Sequence, residues 1–405
     1  MSTKKSFLSG MFITSGAAIG AGMFSLPLVS SGMWFGYSLI CLVLLWFLNY
    51  LCASYIQELC MRFEPGASFD TITREILGGH WNKVMLVLII FLLYILLYAF
   101  YSGFSALFSS WDGINGQLTD LFRLLTGLLI GFFVWVSTGI VGRLAGFMVL
   151  GMVFCFLWSV FDLGQGLEPS NLLPIFDVDQ GYHNYIWSAL PYYMTSFGFV
   201  AVVPSLYKYY KDDAKAINKS IFWGSLLSLI VFFVFIFLAF GNIDRDTFET
   251  LNTNESPLTA FLAQLTGGPD GGQSGRMISL FTNLAIVSSF MGTGLGLFDY
   301  ISDKLQFGDT TMDRLKVALL TFLPPGLASF LFPNGFIAAI GFAGIVYVIG
   351  FFILSFFMVK KSRANQKAIR YKVFGGNLIL YFFLVVSMLI LVTYIMTKLN
   401  ILPQW

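Results

Sequence analysis

Charged residues are scarce in this sequence, at 11% of 405 residues, and only two histidines are present. A soluble domain needs more polar surface than this, because its exterior faces water. Apolar runs long enough to cross a hydrocarbon core of roughly 30 Å recur along the whole chain, and 57% of the residues are hydrophobic. The sequence therefore predicts an all-α polytopic membrane protein whose main surroundings are membrane lipid.

Residues that carry catalysis or metal chemistry are also few. The four cysteines lie in apolar segments without a C-x-x-C pair, which favours reduced thiols over disulfides or metal ligands. No lysine falls in the middle of an apolar run, so the buried Ser–Lys pair of an intramembrane enzyme is missing. A net charge of +2 gives no indication of nucleic-acid binding. The charge rings and repeated filter loops of a channel are not found. No cofactor is expected, and the sequence does not indicate an oligomeric state.

Eleven apolar segments predict eleven transmembrane spans, at 8–30, 34–60, 83–109, 120–140, 144–162, 184–207, 218–240, 275–302, 314–332, 334–358 and 376–397. Nineteen of the 23 Lys and Arg residues then fall on one side, which leaves Arg123, Arg245, Arg276 and Lys398 on the other. Such asymmetry predicts a cytoplasmic N-terminus and a periplasmic C-terminus in a bacterial inner membrane. Residues 66–79 predict a short amphipathic cytoplasmic helix, capped near Ser68.

The first span contains three glycines within seven residues, Gly16, Gly20 and Gly22, with Pro27 soon after. Each glycine weakens a helix by roughly 1 kcal/mol relative to alanine. Unwound backbone at membrane depth persists only where it lines a cavity or is buried in protein. The pattern is also compatible with a close helix-packing face.

The sixth span favours the first of these interpretations. Ser196 and Gly198 lie mid-span, and Pro204 follows. Spans 1 and 6 hold corresponding places in two five-helix halves, and paired interruptions of this kind indicate an inverted-repeat transporter with a midplane binding site. Free N–H groups at a half-helix suit a carboxylate, and free carbonyls suit an ammonium group. The candidate substrate is therefore an amino acid.

Several contiguous motifs in a matching order resemble the aromatic amino-acid permeases, the tryptophan/tyrosine permeases of the amino acid/polyamine/organocation superfamily. They include IGAGMFSLP (19–27), ASFDTIT (67–73), LYILLYAFYS (93–102), SSFMGTGLGLFDY (288–300) and LFPNGFIAAIGFAG (331–344). The resemblance implies a LeuT-like fold, with repeats over residues 1–163 and 164–358 and an extra part, 359–405, made of a basic cytoplasmic loop and span 11. It also implies import of tryptophan or tyrosine by cation symport. Serine or threonine is the alternative substrate.

The coupling ion is a second expectation. The family carries a lysine in span 5, and this chain has Met152 there, which puts proton coupling by that lysine in doubt. Span 8 offers the carbonyl of Ala285 and the hydroxyls of Ser288 and Ser289 on one helical face, and the span 1 break offers the carbonyls of Gly16 and Ile19. This spacing resembles the sodium site of the sodium-coupled amino-acid transporters that share the fold. Five neutral oxygens suit Na⁺, so the resemblance implies a Na⁺ site, with H⁺ as the alternative ion. Ser288 and Ser289 are equally suited to bonding their own helix.

An aromatic substrate needs an apolar, aromatic-lined pocket with few polar contacts. The candidate substrate-binding residues lie at the two breaks and on spans 3 and 8; they are Ala17, Ala18, Gly20, Ala21, Gly22, Tyr94, Tyr98, Tyr101, Ser196, Phe197, Gly198, Phe199, Thr282 and Asn283. Two acids near the inner ends of spans, Glu58 and Asp299, are candidates for a gate or a proton path. Glu58 is also placed for an i,i+4 pair with Arg62.

Overall fold

The fold is built from helices. The computed structural model describes residues 6–65, 67–108, 117–177, 179, 181–211, 213–267, 272–308, 310–364 and 371–405, and no strand occurs within them. Ten helices in this part of the chain are long and apolar enough to cross a membrane, and a bent pair brings the count to eleven when it is taken as one span. The chain is therefore a multi-pass membrane protein, as its apolar segments predicted.

The spans follow one another in chain order. Span 1 is the bent pair Phe7–Ala18 and Ala21–Ser30; the others are Trp34–Cys60, Gly79–Gly103, Gln117–Val136, Thr138–Gln165, Tyr182–Tyr210, Ala214–Asn242, Gly272–Leu305, Thr311–Leu331, Phe336–Ala364 and Gly376–Lys398. Shorter helices are Phe69–Leu77, Ser105–Phe108, Arg245–Asn252 and Pro257–Thr266. Spans 4 and 5 meet at the extended residue Ser137, so the loop predicted between 140 and 144 is helical.

Burial separates the central spans from the peripheral ones. In the most apolar stretch of spans 2, 6 and 10, 61%, 61% and 67% of the residues are buried, against 17% in span 5. Helices that are apolar all round can face either protein or lipid, so only the fold distinguishes the two groups. The centre of the bundle contains the broken span 6, and span 5 contributes mostly lipid contact. The four cysteines are buried and free, as predicted.

One end of the bundle, here called the basic end, carries the beginning of span 1 and the helix Phe69–Leu77. Ser68 Oγ accepts a hydrogen bond from Thr71 N at 3.3 Å, which confirms the predicted amphipathic helix and its cap. Asp70 forms an ion pair of 2.7 Å with Lys304 at the end of span 8. Burial raises the pKa of Asp70, but hydrogen bonds from Lys304 and Asn82 outweigh burial and hold that pKa below its usual value. Residues 365–370 of the predicted basic loop lie outside the described residues.

Arg245 joins several segments at the opposite end of the bundle. Its guanidinium lies 4.3 Å from the ring centre of Tyr182 and 3.8 Å from that of Trp405. It also donates a hydrogen bond of 3.2 Å to the carbonyl of Gly32, at the end of span 1. Cation–π contacts to two rings are worth more where water is excluded. Arg245 therefore ties spans 1 and 6 to the segment that follows span 11.

Candidate substrate and cation site

Span 1 is interrupted at the glycines, as predicted. The helix Phe7–Ala18 ends at Ile19, whose ψ is 101°, and Gly20 is fully extended at φ −167° and ψ −163°. A 3₁₀ turn, Ala21–Phe24, and the short helix Ser25–Ser30 continue the span at a bend of 46°. Backbone groups that an intact helix would pair internally are released at this point.

Span 6 is interrupted in the same way. The helix Ile186–Ser196 ends at Phe197, with φ −86° and ψ 41°, and a 3₁₀ turn over Gly198–Val202 leads into the helix Val203–Tyr210. Pro204 lies in the first turn of that last helix, where its missing N–H costs nothing. The predicted second break is confirmed.

The two breaks are in contact. Ser196 Oγ lies 3.1 Å from the carbonyl oxygen of Gly22 and 2.9 Å from that of Tyr192. A side chain added at Gly22 would meet the Cα of Ser196 at 3.6 Å, and one added at Gly198 would meet the carbonyl of Ala17 at 3.9 Å. Released backbone of both spans is therefore gathered at one place inside the bundle.

Span 8 reaches the first break through Ser289. Ser289 Oγ accepts a hydrogen bond of 3.0 Å from the backbone N–H of Ala21. A Cβ built on Gly20 would lie 2.5 Å from the same oxygen, so only glycine fits there with the serine in place. Ser288 donates to the carbonyl of Ala285 at 3.1 Å, within its own helix. The structure thus brings Ser289 to the break and pairs Ser288 with Ala285.

An exposed path leads from this point to the basic end. Residues 285, 289, 292, 296 and 299 share one face of span 8 by their spacing. Along that face exposure rises, from buried Ala285 through half-buried Ser289 to exposed Gly292, Gly296 and Asp299. Gly16 and Ala17, beside the first break, are exposed as well. Asp299 thus lies on the path between the break and the basic end.

The other side of the first break is closed. Every residue from Met23 to Leu28 is buried, and Phe24 packs edge-on against Phe235 of span 7 and Phe281 of span 8, with ring centres 5.5 and 5.7 Å apart. The sequence analysis did not single out Phe24. Among the described residues, exposure beside the first break therefore increases toward the basic end, whereas the segment toward the opposite end is buried.

The predicted aromatic residues at the second break are packed into the protein. Phe197 and Phe199 are fully buried, and the Phe197 ring lies 5.0 Å from that of Phe232 on span 7. Tyr347 Oη lies 3.3 Å from the Phe197 carbonyl oxygen and 3.0 Å from Asn49 Oδ1. Sequence reasoning missed this pair, although a lone asparagine in an apolar span was the available signal.

The predicted tyrosine face of span 3 is directed at span 9. Tyr94, Tyr98 and Tyr101 donate to the carbonyls of Leu320, Phe332 and Phe322 at 2.7, 2.9 and 3.1 Å, respectively. Pro324 has no N–H group, so the carbonyl of Leu320 has lost its helical partner and accepts from Tyr94 instead. Among the described residues these hydroxyls make no bond to either break. The Tyr101 ring does pack on Phe290, next to Ser289, at 4.8 Å.

The remaining polar candidates on span 8 differ in exposure. Thr282 is buried and donates to the carbonyl of Ile278 in its own helix at 2.9 Å. Asn283 is half-buried. Thr282 follows Phe281, which packs on Phe24, so it lies close to the closed side of the first break.

Glu58 is part of a buried ion pair that the sequence analysis did not identify. Arg363, in the last turn of span 10, donates from Nε and Nη2 to the two carboxylate oxygens at 2.7 Å each, and Val373 N donates at 2.9 Å. The expected partner Arg62 lies at 3.8 Å. The side chains of Glu58 and Arg363 are only 1% and 8% exposed. Glu58 therefore ties span 2 to the end of span 10 and to the segment between spans 10 and 11.

A bundle of membrane spans with two interrupted helices in contact, and polar backbone gathered at their breaks, has the architecture of a transporter. The sequence matches the tryptophan/tyrosine permease family over residues 3–394. The chain belongs to that family, and it is a transport protein of the aromatic amino-acid class rather than an enzyme.

Individual relatives cover nearly the whole chain. A tryptophan-specific transport protein of Pseudomonas aeruginosa is 37% identical over 410 residues, which is 100% of this chain and 98% of the relative. A tyrosine permease of Enterobacter agglomerans is 32% identical over 414 residues, with 100% and 99% covered. A low affinity tryptophan permease of Escherichia coli K12 is 30% identical over 409 residues, with 99% and 98% covered.

Proposed function

We propose that this protein imports tryptophan across the bacterial inner membrane by Na⁺ symport with alternating access. The observation that carries the proposal is the contact between the breaks of spans 1 and 6, through Ser196 and Gly22. Residues 1–163 and 164–358 then form the two halves of a five-plus-five inverted repeat, with span 11 outside it. The name and coverage of the 37% identical relative support tryptophan as the substrate.

The substrate's charged groups are proposed to bind backbone at the breaks. The stretch Ala17–Gly22 and the turn that begins at Gly198 contain no charged side chain, so neutral N–H and carbonyl groups are the available partners. The N–H groups of the 3₁₀ turn suit the carboxylate, and the carbonyls that end the helix Phe7–Ala18 suit the ammonium group. The aromatic side chain of the substrate is proposed to pack near Phe197 and Phe199 at the second break and near Tyr101. The Tyr101 ring contacts Phe290, which lies beside Ser289. The side chains of Phe197, Phe199 and Tyr101 are all fully buried in the state described here.

Na⁺ is proposed to bind between span 8 and the first break. The donor set is the carbonyls of Gly16, Ile19 and Ala285 with the hydroxyls of Ser288 and Ser289, all neutral oxygens of the kind a hard cation prefers. Two observations support the fit: Ser289 Oγ lies at the break, and Ser288 Oγ lies 3.1 Å from the Ala285 carbonyl. Met152, buried in span 5, carries no charge that could replace a cation.

Alternating access is supported by the one-sided exposure of the residues beside the breaks. Exposure increases along span 8 from Ser289 to Asp299, whereas Met23–Leu28 is buried. With the basic end in the cytoplasm, as the charge asymmetry favours, this is an inward-facing state. Import then requires a second state, in which the contacts of Arg245 and Phe24 on the opposite side are released.

The driving ion is tested with purified protein in liposomes. Labelled tryptophan uptake is measured under an imposed Na⁺ gradient or an imposed pH gradient. We expect Na⁺ alone to drive uptake, and Ser288→Ala with Ser289→Ala to reduce it about tenfold or more, because a cation site loses two of five oxygens.

The matched control is Thr321→Ala, which removes a buried hydroxyl of span 9 that donates only to its own helix at Val317. Uptake driven by the pH gradient without Na⁺ would contradict the sodium proposal and favour H⁺, with Asp299 as the acid to examine. Uptake of serine or threonine in place of tryptophan and tyrosine would contradict the substrate proposal.

A further inference from the structure

A cavity lies at the end of the bundle opposite the basic end. Its volume is about 170 Å³, and it lies between the outer part of span 1 at Val29, the first half of span 6 at Ser188 and Tyr192, and the end of span 11. Tyr192 is one helical turn from Ser196, whose hydroxyl contacts the first break. The cavity is therefore next to the candidate site, on its closed side.

Two hydrogen-bond donors without partners line this cavity. Tyr394 Oη and Trp405 Nε1 are buried and have no hydrogen-bond partner, and both residues line the cavity. Lys398 lines it too; its side chain is exposed, its ammonium lies 5.6 Å from the ring centre of Tyr394, and it forms no ion pair within the part of the chain that the structure describes. Buried donors are nearly always satisfied in native proteins. Two buried, unpartnered donors at one cavity indicate a ligand that supplies acceptors, and the exposed ammonium of Lys398 beside them suits a carboxylate.

The remaining walls suit a planar ring. Tyr192, Tyr394 and Trp405 contribute aromatic faces, and Val29 contributes an aliphatic side chain. Aromatic pairs prefer stacked or edge-on contact, and such contacts add to the stabilisation from apolar burial. A volume of about 170 Å³ holds one small molecule and is below the 300–1,000 Å³ typical of drug-sized ligands. A small molecule that carries both a carboxylate and an aromatic ring would satisfy the donors and the aromatic walls together.

We propose that this cavity is a second binding site for an aromatic amino acid, in which Lys398 binds the carboxylate and Tyr192, Tyr394 and Trp405 hold the ring. The inference rests on the proposed function, because it takes the transported molecule as the ligand. The site lies beyond the closed segment Met23–Leu28, so it is occupied before the substrate reaches the breaks. Arg245, stacked on Trp405 at 3.8 Å, positions one wall of the site.

Occupancy can be measured with a thiol placed in the cavity. Ser188→Cys introduces it, and the four native cysteines are buried, so a membrane-impermeant thiol reagent reports on position 188. We expect tryptophan to slow labelling, whereas tryptamine, which lacks the carboxylate, and alanine, which lacks the ring, leave it unchanged. Lys398→Gln should raise the protecting tryptophan concentration about tenfold or more, since a charged hydrogen bond is lost.

Two further variants separate this site from the central one. Arg276→Gln removes an exposed charge assigned to the same side of the membrane, and it should leave protection unchanged. Gly20→Ala obstructs the first break and should also leave protection intact. Loss of protection in Gly20→Ala would show that labelling reports a conformational change at the breaks, and it would overturn the second site.

Transport kinetics give an independent test of the second site, and this test applies even if the thiol reagent does not reach position 188. Lys398→Gln should raise the KM for tryptophan uptake about tenfold and change the maximal rate less than about twofold. If Lys398→Gln leaves the KM unchanged, or if Arg276→Gln raises the KM equally, the second-site inference is overturned. The proposed function still stands in that case, provided that the unmodified protein takes up tryptophan. If tryptophan protects the thiol at position 188 from labelling but the unmodified protein shows no tryptophan uptake, the proposed function is overturned and the binding site stands.

Discussion

Replacing Gly20 with alanine is expected to reduce tryptophan uptake about tenfold or more. The added Cβ would lie 2.5 Å from Ser289 Oγ. Non-bonded carbon and oxygen atoms do not approach this closely, so either the serine or the backbone of the break must move. Overpacking of this kind costs about 1–3 kcal/mol. Here it would displace the hydroxyl of Ser289 that accepts the hydrogen bond from Ala21 N. Initial uptake rates per folded protein in liposomes measure the effect.

Gly16→Ala is the matched control, because it adds the same methyl group to the same break where no atom lies within 4 Å. Its uptake should stay within about twofold of the unmodified protein. Adding Ser289→Ala to Gly20→Ala removes the clashing oxygen but also one proposed cation ligand, so Na⁺ dependence should stay impaired. Equal uptake by Gly16→Ala and Gly20→Ala would contradict the close approach of spans 1 and 8.

The two breaks were predictable from sequence because their causes are local. Glycine weakens a helix wherever it occurs, and Gly16, Gly20 and Gly22 concentrate that effect within one turn or two. The partner of the break was only partly predictable. Helical spacing placed Ser288 and Ser289 on neighbouring positions of one face, but which hydroxyl reaches span 1 depends on how span 8 is rotated, and that is set by packing.

The tyrosine face of span 3 illustrates the same limit. Periodicity correctly put Tyr94, Tyr98 and Tyr101 on one side of a helix. It gave no information on which helix these tyrosines face. That helix is span 9, where Pro324 leaves the carbonyl of Leu320 without a helical partner, and Tyr94 donates to that carbonyl. Likewise, Asn49 and Tyr347 are 298 residues apart in sequence and meet only in the folded bundle. Contacts between distant segments carry no local pattern.

Glu58 is the residue whose neutralisation should destabilise the protein most. Arg363 donates to both of its carboxylate oxygens at 2.7 Å, and both side chains are buried. Removing one partner of a buried ion pair costs about 3–5 kcal/mol, because the other charge is left without compensation. We therefore expect Glu58→Gln to lower the melting temperature and the yield of folded protein, and Arg363→Gln to do the same.

Glu64→Gln provides the matched control, since Glu64 is exposed and lies just after the end of span 2, six residues beyond Glu58. The melting temperature of this variant should not change. The double variant Glu58→Gln with Arg363→Met should be less destabilised than the sum of the single variants, because neither charge is then left alone. Uptake per folded protein distinguishes a structural pair from a proton path. If Glu58→Gln melts like Glu64→Gln and yet loses uptake driven by a pH gradient, the carboxylate serves coupling. If stability falls while Na⁺-driven uptake by the remaining folded protein persists, Glu58 holds span 2 to the segment after span 10 and takes no part in transport.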